Sequence, residues 1–168
     1  MDVLKKKQEL AAYEESLKGL TFEELKAKED EIVKLADEND KALATKEFKL
    51  PKNNYKVVAE GIRTLLNKQT VEWRFTLGMV SMYDFWNPEN FPTVVNYPML
   101  DATLRTLGEL KFTGYSEWAI VVAVNKYFES LHDEYEAATE KIYDIASQHN
   151  AIIDALALKD PDAGNKAQ

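Results

Sequence analysis

Eleven positions between Val121 and Leu156 recur alternately three and four residues apart: Val121, Val124, Phe128, Leu131, Tyr135, Ala138, Ile142, Ile145, His149, Ile152 and Leu156. Ten of these are apolar or aromatic, and five heptads in register specify one long α-helix with a single seam. At 1.5 Å per residue, a helix from Ser116 to Ala157 runs for about 60 Å. A seam of that length needs packing partners along all of it. The rest of the chain must therefore be read for helices able to cover it, with another subunit as the alternative.

Toward the N-terminus the pattern is also helical but thin. Val3, Leu10 and Leu17 lie seven apart, with Tyr13 and Leu20 beside them, on a segment otherwise made of Lys, Glu and Gln. Gly19 is the expected stop. Thr21 and Glu24 have the spacing of a capping box, and Leu20 and Leu25 that of a hydrophobic staple, which predicts a second helix over Phe22–Ala44. Leu25, Ile32, Leu35 or Ala36, and Leu43 are its expected inner residues. The short connection implies an antiparallel hairpin or a sharp kink. Residues 1–48 thus read as a hairpin arm, and 49–54 (Lys49-Leu50-Pro51-Lys52-Asn53-Asn54) as a linker.

Three further elements are expected before the long helix. A helix over Tyr55–Asn67 buries Val58, Ile62, Leu65 and Leu66. The segment 71–86 alternates like a strand at its start, yet it is apolar nearly all round from Met79. Its length favours a buried central helix. After the prolines at 88 and 92, Pro98 opens a helix whose inner face is Leu100, Leu104 and Leu107. The expected fold class is all-α: a hairpin arm, a roughly four-helix bundle over 55–158 ending in the heptad helix, and a polar tail at 159–168.

Composition narrows the function classes. The net charge is −8, with 11 basic and 13 acidic side chains in residues 1–52, 6 of each in 53–115, and 4 against 10 in 116–168. An acidic surface without a basic stripe argues against nucleic-acid binding. The longest apolar run is seven residues, Trp118–Val124, far short of the roughly 20 a spanning helix needs. MDVLKKKQEL has no signal-peptide core. Absence of cysteine excludes disulfides and thiolate chemistry. A cytoplasmic location is expected, or a virion if the chain is phage-encoded.

Chemistry-bearing patterns are sparse. Glu129 and His132 have the Glu-x-x-His spacing of carboxylate-bridged metal bundles, but His149 has Ala146 three residues earlier, so the second motif is missing. His132 fails as a zinc-protease motif because position 136 is Glu136. No phosphate-binding glycine loop or GxSxG occurs. Glu72, Asp84, Asp101 and Glu109 are isolated carboxylates. No cofactor, metal or enzymatic activity is expected. His149, polar on the seam, suits a role in register or partner choice.

Aromatic residues concentrate elsewhere. Ten of 18 lie in residues 53–115, and Tyr83, Phe85, Trp86, Phe91 and Tyr97 flank the prolines of the 83–97 segment. Such rings either dock a partner or anchor the loop on the core. The leading expectation is a structural or interaction protein working as a subunit of a larger assembly or homo-oligomer, with protein partners and neither nucleic acid nor membrane. One alternative is an adaptor or inhibitor that binds one protein through the aromatic loop. A second is a small helical-bundle enzyme with a carboxylate site. In its general make-up (small, acidic, cysteine-free and helical) the chain is similar to accessory virion proteins of tailed bacteriophages.

Overall fold

A computed structural model describes residues 3–68, 76–110 and 114–159. The elements run in the order α1 (Val3–Leu17), α2 (Phe22–Ala44), β1 (Glu47–Lys49), α3 (Tyr55–Asn67), α4 (Thr76–Phe85), β2 (Val94–Asn96), α5 (Tyr97–Glu109), α6 (Tyr115–Phe128), a 3-10 turn (Glu129–Leu131) and α7 (His132–Lys159). The chain is all-α, with one two-stranded ribbon among the described residues. Expectations for residues 71–75, for the tail at 160–168 and for the side chain of Val3 lie outside the described residues.

Local signals place the helix ends. Thr21 N–H donates to Glu24 Oε2 (2.7 Å), and Glu24 N–H donates back to Thr21 Oγ1 (3.2 Å), closing the capping box at the start of α2. Asn96 caps α5 by accepting from Met99 N–H (3.0 Å), with Pro98 in the first turn. Asn54 precedes α3 in the left-handed region (φ 67°), a conformation that asparagine tolerates better than most residues. Gly19 lies in the turn after α1 but does not adopt a left-handed conformation, so the expected glycine stop is not of that kind.

The chain forms two compact units, residues 1–42 with 137–168, and residues 43–136. This division differs from the expected arm at 1–48 and bundle at 55–158, because the C-terminal part of α7 packs with the arm. In the first unit Leu17, Leu25 and Ile32 join Ile145, Ala151, Ile152 and Leu156 in one core, with Tyr13, Leu20, Phe22, Ala36 and Ala155 against it. Ala36 faces inward, and Leu35 is exposed. Lys6 bridges Glu140 and Asp144, both at 2.6 Å. Lys159 donates to the carbonyls of Lys18 (3.0 Å) and Leu20, which satisfies acceptors beyond the end of α1.

In the second unit α3 packs against α6 and α4, and α4 against α5. Val58, Ile62, Leu65 and Leu66 are all buried, as the spacing of α3 predicts. Gly61 permits the close approach of α6, since a Cβ there would stand 2.8 Å from Ile120 Cγ2. β1 and β2 pair antiparallel with Phe48 opposite Val95, both buried. The pairing extends through Leu50 N–H to Thr93 O and Tyr97 N–H to Lys46 O. The segment read as a linker is therefore docked: Leu50 is buried, and Pro51 O accepts from Tyr127 Oη (2.7 Å).

Two helices depart from expectation. α4 is helical over Thr76–Phe85, but Met82 is its one buried residue, and Leu77 is 78% exposed. An all-round apolar composition reads as burial on every face. Here the elements packing against α4 cover only one. The heptad helix runs from Tyr115 to Lys159 and tightens to a 3-10 turn at Glu129–Leu131. No seam residue is exposed. Val124, Phe128 and Leu131 are buried in the second unit, and Ile145, Ile152 and Leu156 in the first, whereas Val121, Tyr135, Ala138, Ile142 and His149 are half-buried.

Candidate functional site

The aromatic segment at 83–97 is largely committed to the core. Trp86 is fully buried, and its Nε1–H donates to Thr103 Oγ1 (2.9 Å), whose hydroxyl donates in turn to Met99 O (2.7 Å). Phe85 and Phe128 meet the indole edge-on, at 5.0 and 5.5 Å between centroids. Tyr97 is buried and stacks on Tyr135 at 5.8 Å, and Tyr135 Oη donates to Asp101 Oδ1 (2.7 Å). Phe91 packs against Tyr55 (4.9 Å), whose hydroxyl donates to Asn87 O and Asn90 O at 3.1 and 3.3 Å. The Arg63 guanidinium lies 3.8 Å from the Tyr83 ring centroid. Of the five residues expected to contact a partner, Trp86 and Tyr97 are inaccessible in this arrangement. Large rings find apolar cover inside the chain first.

Glu129 and His132 stay near the surface. Glu129 lies in the 3-10 turn, and His132 Nε2 sits 3.2 Å from Glu136 Oε1, one turn along α7. They rim a cleft of about 470 Å³ floored by Leu104, Phe128 and Leu131. Among the described residues, no group of three or more His, Asp or Glu side chains is placed to hold a metal ion. None of the helices described is long and apolar enough to cross a membrane.

The strongest surface feature lies on α6, and the sequence reading did not single it out. α6 turns one face to the core through Val124, Tyr127 and Phe128. Its opposite face carries Tyr115 (91% exposed), Trp118 (63%), Ala119 and Val122 (64%). These positions stand at i, i+3, i+4 and i+7, which aligns them in one stripe. Val57 on α3, also 63% exposed, widens the stripe across a groove shared with Ala119 and Ala123.

Charge is nearly absent from this stretch. Between Lys111 and Lys126 the sole charged side chain is Glu117, and its carboxylate is paired with Lys68 (2.8 Å). Tyr115 and Trp118 alone expose on the order of 300 Å² of surface, since large aromatics carry about 150–250 Å² each. With Val57, Ala119 and Val122 the patch reaches the range of about 300–600 Å² at which a monomer's largest apolar patch is often functional. A signal for it existed in the sequence. Tyr115, Trp118 and Val122 recur at helical spacing on the side of the helix away from the heptad seam.

Comparison with family models, with curated proteins and with solved structures finds no match to this chain.

Proposed function

We propose that the protein is an interaction subunit of a larger protein assembly, and that the outer face of α6 is the surface through which it assembles. The observation that carries this reading is the uncharged stripe of Tyr115, Trp118 and Val122, exposed on a helix whose other face is already in the core. Exposed Trp and Tyr are characteristic of binding hot spots, because a large ring gains much from burial and loses little entropy. Interface cores are also depleted of charge, as this window is. Nothing in the reading calls for catalysis. A virion is one assembly in which a subunit of this composition would fit.

The test is the size of the native species in an extract of the source cells or particles, for wild type and for Trp118→Glu. Wild type should migrate well above the 19.2 kDa of one chain. Trp118→Glu should migrate as the single chain and keep its far-UV helix signal, because the side chain is 63% exposed and the fold does not rely on it. A wild-type chain of monomer size in the extract would defeat the proposal.

A further inference from the structure

Resting on that reading, the geometry points to a second copy of this chain as the occupant of the α6 face. The two helices would cross antiparallel about a two-fold axis midway between Trp118 and Ala119, so that the exposed stripe of one copy lies on the stripe of the other. A two-fold contact uses the same patch on both sides, so the patch must contain its own complement. This one does. Trp118 is a large, 63% exposed knob, and it forms one wall of a shallow surface depression that Gly114, Tyr115, Ala119 and Val122 also line. Knob and hollow are offset by one residue on the same helix face. An antiparallel two-fold midway between them brings Trp118 level with the partner's Ala119 and Tyr115 level with the partner's Val122.

Area points the same way. A standard interface buries about 800 Å² per partner, of which roughly 56–65% is apolar, so each side must offer about 450–520 Å² of apolar surface. The α6 stripe with Val57, about 300–600 Å² on the exposures above, is of that order, and polar Ser116 and Asn125 border it. Antiparallel helices also oppose their dipoles favourably. Charge supplies a signature. Each copy carries −8, while the stripe is neutral. Two copies therefore repel at long range and attract only at the patch, so salt should strengthen their association by screening. A basic partner drawn to the acidic surface would respond to salt in the opposite sense.

Ala119→Cys tests the arrangement directly, because the chain has no other cysteine. Helix axes about 8–10 Å apart, each with Cα atoms about 2.3 Å from its axis and Ala119 about 50° off the line between the axes, bring the two Ala119 Cα atoms to about 5–7 Å, a separation a disulfide spans. The expected results on purified full-length protein are a species of twice 19.2 kDa by light scattering and rapid disulfide dimerisation of Ala119→Cys under mild oxidation. Ser130→Cys, exposed in the 3-10 turn, should not cross-link. Dimer content should rise between about 0.05 M and about 0.5 M NaCl. A dimer in which Ala119→Cys fails to cross-link would overturn the inference by placing the contact elsewhere. So would a purified chain that stays monomeric while extracts hold a larger, Trp118-dependent species. In that case the assembly reading would stand with a different protein on α6. Monomers in both preparations would remove both.

Discussion

Trp86 and Thr103 show how a single hydrogen bond decides the cost of burying a ring. The indole is fully enclosed, so its N–H has no recourse to water, and Thr103 Oγ1 is its acceptor. Thr103→Val keeps the shape and deletes the acceptor. It should destabilise the protein by about 1–3 kcal/mol, seen as a lower urea midpoint with an unchanged slope. At Thr21 and Glu24 the bond is charge-assisted. The Thr21 backbone N–H, and then its hydroxyl, hold the Glu24 carboxyl below the usual carboxylate range. A carboxylate with a depressed folded pKa stabilises the fold above its unfolded value and loses that contribution as pH falls through the folded one. The stability advantage of wild type over Glu24→Gln should therefore shrink as pH drops from about 5 toward 3 in urea titrations. Thr21→Ala should cost about 1 kcal/mol at neutral pH through loss of the cap.

Between elements, the α3–α6 contact is the one the proposed surface depends on. Gly61→Ala gains up to about 1 kcal/mol of helix propensity but pushes a methyl group toward Ile120 Cγ2, an overpacking that costs about 1–3 kcal/mol. Net destabilisation is expected, measured by thermal unfolding. In Gly61→Ala/Ile120→Ala the loss should be smaller than the sum of the single losses, because the added methyl group occupies space the shortened side chain vacates. The helices themselves were legible in the sequence. α2 and α3 begin and end where capping and spacing place them, and the heptad seam predicted every residue that α7 buries except Ala151. The ribbon was not legible, since three-residue strands with one buried residue each, Phe48 and Val95, leave no alternation to detect. Exposure of α4 and of the outer face of α6 was hidden for a different reason. Apolar composition reports what a helix can bury, and not how many of its faces find a neighbour within the chain. The same limit led sequence reasoning to the loop rings at Trp86 and Tyr97, which the core uses, and away from Trp118.

For the molecule as a whole, the long seam does not itself demand another subunit. α1 and α2 share a core with Ile145, Ile152 and Leu156, and Val124, Phe128 and Leu131 are buried in the second unit. Among the described residues the opposite face of α6 is an apolar surface left without cover, and the case for assembly now rests there. The most direct test is hydroxyl-radical footprinting of the untagged protein in its native extract and after dilution to dissociating concentration. Tyr115 and Trp118, at 91% and 63% exposure in the single chain, would oxidise readily if nothing covered them. Strong protection of both residues in the native species, released together on dilution while Trp86 stays protected throughout, is the predicted result. Equal oxidation of Tyr115 and Trp118 in the two states would contradict the account, because it would mean that the face remains open to water wherever the protein works.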